Sequence, residues 1–336
     1  MAQAELAGGE VGAGGWPVHG LEDDVRPRMF AAADAGEAFA LATIVAADGG
    51  PRSEGAQMVV TNAAAYGFLS GGCIEDDVAR HGREVIEGGD PRTLVYGEGS
   101  PFIDIRLPCG GRIEVAIERV LPDDPALQTL RDLTGARRPA VWLSDGETRL
   151  CVGIEEASTA SRYPIERRHD PVQQLVVVGS DPFALAIAGM GQTLGWETVL
   201  LSPFGPTGDP PFGISCDRRP LTKALTELEL DPWTAVAVAT HELEADREAL
   251  VPSLLSSAGY VGVLGSRRKL GQRREGLAAA GLSEAQIARL HAPIGLPIPA
   301  ASPWEVAVSV VGEIIAQRCE VESSQSSEAQ RLNAAA

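Results

Sequence analysis

The chain has 336 residues, enough for two domains that each bury a core of their own. Its 46 acidic and 28 basic residues give a formal net charge of −18, which repels phosphate backbones and anionic lipid headgroups. The charge therefore argues against nucleic acid or membrane as the main partner, and the hydrophobic content of 44% predicts a soluble globular protein.

The two ends of the chain predict neither a signal peptide nor a membrane-spanning segment. The N-terminus has neither a basic segment nor a continuous apolar run, so it does not resemble a signal peptide. The apolar stretch VAVSVVGEIIA is interrupted by Glu313 and is too short to span a bilayer. We therefore predict a cytoplasmic protein whose five cysteines stay reduced. We also predict disordered segments at 1–24 and 322–336.

Residues 25–160 have the pattern of a strand-rich α+β domain. FALATIVAADGGPRSEGAQMVV contains two apolar runs around a Gly/Pro-rich connection, and VWLSDGETRLCVG predicts a second hairpin. Between them, CIEDDVARHGREVIEGG predicts an amphipathic helix that starts near Cys73 and is stopped by Gly88. The polar segment 161–171 is predicted to link this domain to the next.

Residues 172–321 alternate short apolar runs with helical segments. Runs such as LVVVG, ETVLL, TAVAV and YVGV are continuously apolar, which indicates a buried parallel sheet of Rossmann type. Capping boxes at Ser283 with Gln286 and Ser302 with Glu305 predict two later helix starts. The predicted fold class is α/β, a strand-rich α+β N-terminal domain followed by a Rossmann-like parallel-sheet domain.

The turn after LVVVG does not fit the glycine pattern of dinucleotide binders. Such a turn reads G-x-G-x-x-G, whereas here Gly179 is followed by Asp181 at the position of the second glycine. Asp181 and Pro182 instead predict a helix N-cap whose own carboxylate fills the place of a phosphate. We therefore do not expect NAD(P) binding here. An NAD(P)-dependent oxidoreductase or a nucleotide-dependent transferase stays open as the alternative function.

Seven stretches follow one another in a characteristic order: PRSEGAQMVV (51–60), LSGGCIEDDV (69–78), CGGRIEVAIE (109–118), ATHELEAD (239–246), YVGVLGSRRK (260–269), HAPIGLPI (291–298) and SPWEVAVSVVGEIIA (302–316). This ordered set resembles the xanthine dehydrogenase accessory proteins of the XdhC/CoxI type. The resemblance implies a protein that binds and protects molybdenum cofactor (molybdopterin) and inserts it into a molybdenum hydroxylase apoenzyme. It favours a non-catalytic accessory protein over an enzyme. A cysteine desulfurase is a second implied partner, and a homodimer stays open.

Cys73 is the main candidate for contact with the metal of such a cofactor. It follows Gly71 and Gly72 near a helix start, where the thiol pKa is lowered and the thiolate can ligate metal. The three acids at 75–77 oppose this effect. The two glycines would let backbone N–H groups face an anionic ligand. The alternative is a small cysteine buried in the core.

Four further residues of the first domain are cofactor-binding candidates: Arg52, Glu75, Cys109 and Gly110. Cys109 and Gly110 repeat the cysteine–glycine pairing, although a tight turn explains the glycine equally well. Glu75 is predicted either to bind a pterin ring or to complement the helix dipole. Arg52, in a glycine-rich loop, is predicted either to meet a phosphate or to remain a solvated arginine.

The second domain offers an anion site and a histidine. Ser266 can cap a helix whose first turn carries Arg267 and Arg268, which predicts a site for a pterin or nucleotide phosphate. The alternative is that these arginines form salt bridges with acids of the same chain. His241 ends a central strand, where ligands of α/β proteins usually bind.

Overall fold

The computed structural model describes residues 18–49, 52–100, 110–157, 163–240 and 242–334. It divides into two compact units, Met1–Pro171 and Val172–Ala336. Within the described ranges, no helix has the length and hydropathy needed to cross a membrane.

In its described ranges the first unit contains two antiparallel sheets and four α-helices, which confirms the predicted strand-rich α+β class. A short 3-10 helix, Val18–Leu21, precedes the helices α1 (Arg26–Asp34), α2 (Glu75–Gly88), α3 (Pro125–Gly135) and α4 (Ile154–Ala157). The strands are β1 (Phe39–Asp48), β2 (Gln57–Val60), β3 (Ala65–Gly67), β4 (Arg92–Gly97), β5 (Arg112–Val120), β6 (Ala140–Ser144), β7 (Arg149–Gly153) and β8 (Ile165–His169). The strand orders are β3-β2-β1-β5-β4 and β7-β6-β8.

Strand β1 lies at the centre of the first unit and is buried on both faces. Ala42 and Ile44 pack in the same cluster as the apolar face of α2, while Phe39 and Leu41 pack with Trp142 of the second sheet. Alternate residues of a strand point to opposite faces, so one strand serves two cores. Both predicted hairpins are confirmed, since β1 pairs with β2 and β6 pairs with β7 in antiparallel register.

Two local predictions for the first unit differ from the structure. The segment 161–171, predicted as a linker, contributes β8, which pairs antiparallel with β6. Its polar residues concealed the strand because β8 lies at a sheet edge. Helix α2 ends at Gly88, and the glycine that caps it with a left-handed φ of 88° is Gly89, one residue after the predicted stop at Gly88.

The second unit is a six-stranded parallel sheet with helices, which confirms the Rossmann-like prediction. Its helices are α5 (Pro182–Thr193), α6 (Leu221–Glu227), α7 (Leu243–Leu255), α8 (Leu270–Ala279), α9 (Glu284–Ala288) and α10 (Pro303–Ala334). The strands are β9 (Gln174–Val178), β10 (Glu197–Leu201), β11 (Ser215–Asp217), β12 (Thr234–Val238), β13 (Tyr260–Val263) and β14 (Leu290–His291), in the order β11-β10-β9-β12-β13-β14.

Both predicted capping boxes form. The Ser283 hydroxyl accepts from the Gln286 amide while the Gln286 side chain accepts from the Ser283 amide. At α10 the Ser302 amide donates to the Glu305 carboxylate at 2.8 Å. Helix α10 continues to Ala334, beyond residue 322 where we predict a disordered tail. Its C-terminal residues include Glu, Gln, Arg and Ala, and extending a formed helix needs no new nucleus.

A buried ion pair holds the carboxyl-terminal ends of β12 and β13 together. Arg273 Nη2 lies 2.7 Å from Asp246 Oδ2, and the two side chains are 4% and 1% exposed. Asp246 also accepts from the Thr240 hydroxyl after β12, at 2.5 Å. Arg273 donates to the carbonyl of Leu264 after β13, at 3.2 Å. The pair therefore fixes two loops at the edge where a Rossmann domain binds its ligands.

Replacing Asp246 by Asn should destabilise the protein strongly, because Arg273 would keep a buried charge without a counter-charge. We expect the free energy of unfolding, measured by urea denaturation, to fall by about 3–5 kcal/mol. The matched control is Glu244→Gln, which breaks an exposed pair with Arg247 on the same helix and should cost less than about 1 kcal/mol. Equal losses in the two variants would contradict this assignment.

Candidate functional site

The loop between β3 and α2 is wrapped around the carboxylate of Glu75. Five backbone amides donate to its two oxygens, at 3.0 Å from Leu69, 2.6 Å from Ser70, 3.3 Å from Gly71, 2.9 Å from Gly72 and 3.2 Å from Ile74. The Ser70 hydroxyl adds a sixth donor at 3.0 Å. A single side chain thus fixes the path of the whole loop.

Glu75 is buried, at 4% exposure, yet it is held in its ionised form. Burial alone would raise the pKa of its carboxyl, but the amides of Ser70 and Leu69 more than offset this and hold the pKa below the usual 4.5. Neither sequence-based role, a ligand to a pterin or a surface acid complementing the helix dipole, describes this carboxylate. It is the internal anion around which the loop is built.

The prediction that the amides of Gly71 and Gly72 face an external anion is wrong, because Glu75 accepts both hydrogen bonds. The two glycines have φ of +113° and +92°, in the left-handed region that side chains disfavour. That backbone turns the amides inward. Among residues 69–74, the amide of Cys73 is the one that does not donate to Glu75.

Cys73 is exposed at the surface of this loop, so the alternative of a core cysteine is wrong. It lies one residue before Ile74, the N-cap of α2. A Cβ placed on Gly72 would have no atom within 4 Å, so the approach to the thiol is open on that side. By contrast, Cys151 lies in the core, where burial raises its thiol pKa to about 12. Of the three cysteines whose side chains are described, Cys73 is therefore the exposed one that a bulky ligand can reach.

Sequence reasoning missed Ser70 as part of this site. Its hydroxyl donates to Glu75 and accepts from the Ile74 amide at 3.3 Å. The sequence does carry one indication of this arrangement. Glu75 follows Gly72 by three residues, which is the spacing at which the acid of a capping box accepts hydrogen bonds from the backbone before a helix.

The other candidates of the first unit are not brought to this loop by any described contact. Arg52 forms an ion pair with Asp23 and is therefore not a free solvated arginine. Gly110 is exposed, with φ of +71°, two residues before β5. Cys109 lies outside the described residues, as does His241 of the second unit.

In the second unit, Asp181 caps α5 as predicted. Its Oδ1 accepts from the Ala184 amide at 2.8 Å. In a dinucleotide-binding domain the negatively charged pyrophosphate binds at this helix N-terminus, where backbone N–H groups donate hydrogen bonds to it. The chain therefore places its own negative charge where that ligand would need to bind.

The predicted basic turn is present but is not part of an α-helix. Ser266 caps a short 3-10 helix, Arg267–Lys269, and accepts from the Arg268 amide at 3.2 Å. Arg267 and Arg268 are exposed, and neither has an ion-pair partner within the described ranges. The alternative that these arginines form internal salt bridges is therefore wrong.

The chain is similar in sequence to known proteins. The family model described as "XdhC Rossmann domain" matches residues 175–314, and the model described as "XdhC and CoxI family" matches residues 32–97. The molybdenum cofactor insertion chaperone PaoD of Escherichia coli is 29% identical over 305 residues, covering 89% of this chain and 90% of that protein. A probable xanthine dehydrogenase subunit of Bacillus subtilis is 25% identical over 324 residues, covering 84% of this chain and 94% of that protein.

The fold has a counterpart among solved structures. A crystal structure of a xanthine dehydrogenase from Bacillus halodurans matches with a TM-score of 0.69 and 23% sequence identity, covering 88% of this chain and 96% of that one. At this identity the likeness concerns the fold alone.

Replacing Glu75 by Gln should loosen the loop. The side-chain NH2 group of glutamine would point a hydrogen-bond donor at backbone N–H groups that are themselves donors, and the negative charge that they bind would be lost. We expect hydrogen exchange at the amides of Leu69 and Ser70 to accelerate about tenfold or more. Asp76→Asn, at an exposed acid in the same helical turn, is the control and should leave these two amides protected. Unchanged exchange in the Glu75 variant would show that the carboxylate does not organise the loop.

The contribution of Glu75 to stability should depend on pH in a defined direction. Its folded-state pKa is below 4.5, so the contribution is complete above that pH and is lost as the pH falls through the folded-state value. Urea denaturation of wild type and Glu75→Gln should give a constant difference at neutral pH and a shrinking difference below pH 4.5. A difference that grows on acidification would contradict this sign.

Proposed function

Because this chain belongs to the XdhC and CoxI family, we propose that it binds molybdenum cofactor, protects it and inserts it into a xanthine dehydrogenase-type molybdenum hydroxylase apoenzyme. The observation that carries the proposal is an exposed thiol on a rigid loop, in a chain similar over most of its length to a molybdenum cofactor insertion chaperone. A cysteine desulfurase is a further proposed partner.

In this proposal the Cys73 sulfur binds the metal end of the cofactor, which is cargo. A thiolate is a soft ligand, and a thiol that coordinates a metal is deprotonated by it. The glycines beside Cys73 leave room for a large planar group to approach.

The sparse protein donor set suits a carrier. Among the residues described, no group of three or more His, Cys, Asp or Glu side chains is placed to hold a metal ion. The pterin would supply its own ligands, and the chain would add the Cys73 sulfur. One protein bond to the metal can be broken when the cofactor is transferred, whereas a closed site would retain the ion.

The fixed loop gives the thiol a defined direction at low entropic cost. Because Glu75 has already ordered residues 69–74, little backbone freedom is lost when a ligand binds Cys73. The remaining candidates, Gly110, Cys109 and His241, stay proposed contacts. The exposed basic turn at Arg267 and Arg268 stays a proposed contact for an anionic group of the cofactor or of the apoenzyme.

Replacing Cys73 by Ser should weaken binding of molybdenum cofactor about tenfold or more, since a hydroxyl is a poor ligand for a soft centre. Equilibrium binding under anaerobic conditions, followed by cofactor fluorescence after release, measures the effect. Cys216→Ser, at a partly buried cysteine of the second unit, is the matched control and should bind like wild type. Equal binding by Cys73→Ser and wild type would remove the thiol from the proposal.

A further inference from the structure

A cationic cluster lies in the first unit where β8, the segment before α1 and the β1–β2 connection meet. It consists of Arg26, Arg52, Arg167, Arg168, Asp23, Asp24 and Asp170. Each aspartate pairs with its own arginine: Asp24 with Arg26 at 2.7 Å, Asp23 with Arg52, and Asp170 with Arg168 at 2.8 Å. Arg167 is the arginine of this cluster that forms no ion pair with any of its aspartates.

The Arg167 guanidinium has no hydrogen-bonding or ion-pairing partner in the part of the chain that is described, and its Nε is buried. It packs against the β1–β2 connection so closely that a Cβ on Gly55 would lie 3.2 Å from Nη1. Burial lowers the pKa of Arg167, Asp23 raises it and Arg52 lowers it, so both neighbours are within electrostatic range.

His169 lies two residues further along β8, on the same face of the strand as Arg167. It is 6% exposed, and its buried Nε2 has no hydrogen-bond partner. Burial, Arg167 and Arg26 lower the pKa of His169 to about 3, so the ring is neutral at physiological pH. A neutral ring supplies one N–H donor without adding charge.

These features together describe a site for a ligand that carries negative charge. Buried charges in proteins are normally paired, and an uncompensated one is costly. This chain has an excess of acids, yet none of the acids that the structure describes pairs with Arg167. The guanidinium fork and the imidazole belong to residues on the same face of β8 and together offer several donors, which suits a group with several acceptor oxygens.

We propose that Arg167, His169 and Arg52 bind a phosphate monoester. This rests on the function proposed above to the extent that the ester is taken to be the phosphate group of the carried cofactor. Arg167 provides the two-pronged contact and His169 a single donor. Arg52 is available as the third group because its partner Asp23 is 70% exposed, and exposed pairs are weak enough to exchange.

The Cys73 loop and the chain segment that leads into the cationic cluster contact the same aromatic ring. A Cβ on Gly71 would lie 3.9 Å from Phe68 Cζ, and one on Gly20 would lie 3.1 Å from Phe68 Cδ2. Gly20 is three residues before Asp23, at most about 11 Å along the chain. This shared contact with Phe68 supports the proposal that one pterin reaches both Cys73 and Arg167.

The first test is thermal unfolding of the full chain in phosphate-free buffer, titrated with inorganic phosphate. Binding to the folded state should raise Tm in the wild type. Arg167→Gln should abolish this rise without lowering the phosphate-free Tm, because it removes a charge that has no partner. Arg167→Lys keeps the charge without the fork and should retain a weaker response.

Two controls locate the response. Arg168→Gln alters the neighbouring paired arginine and should respond like wild type. Arg219→Gln alters a paired arginine of the second unit, which contacts Asp217 at 2.6 Å, and should also respond like wild type. A normal response in Arg167→Gln, or an equal loss of the response in either control, would overturn the proposal.

The second test separates the cofactor from free phosphate as the source of the ester. Wild type should bind the intact pterin about tenfold or more tightly than phosphatase-treated pterin, and Arg167→Gln should not distinguish them. If the phosphate response requires Arg167 but no pterin binds, the anion site stands and the function proposed above fails. If intact and treated pterin bind wild type equally, the cofactor assignment of the site is overturned.

Discussion

The candidate site depends on one buried carboxylate. Glu75 collects five backbone amides and a hydroxyl, and it stays ionised because those donors outweigh the cost of its burial. Without it, several amides of the β3–α2 loop would be buried and unpaired, which costs about 1–3 kcal/mol each. The exposed position of Cys73 follows from this interaction, since the chain around the cysteine is fixed while its side chain is not covered.

The same device recurs in the second unit, where Asp181 accepts an amide at the N-terminus of α5. In both units an acid of the chain fills a place that resembles an anion site. Among the described residues, the groups that our proposals assign to an external ligand are different ones: the exposed Cys73 sulfur, Arg167 and the Nε2 of His169, and the exposed Arg267 and Arg268.

The sequence predicted those features that depend on local patterns. Hairpins, parallel strands and capping residues follow from periodicity and from short-range hydrogen bonding, and they form as expected. The role of Glu75 was not predicted, because it depends on left-handed backbone at Gly71 and Gly72 that no periodicity encodes. Strand β8 was missed because its edge position tolerates polar residues. The role proposed for Arg167 and His169 depends on neighbours that are distant in sequence, and no local pattern reveals these neighbours.

The most direct measurement is X-ray absorption at the molybdenum edge, made on anaerobically loaded full-length protein. If the Cys73 sulfur binds the metal, wild type should show one molybdenum–sulfur contact more than Cys73→Ser. Cys216→Ser should match the wild type. An identical sulfur shell in wild type and Cys73→Ser, at equal cofactor loading, would contradict the role of this thiol and leave the loop built by Glu75 without the proposed ligand.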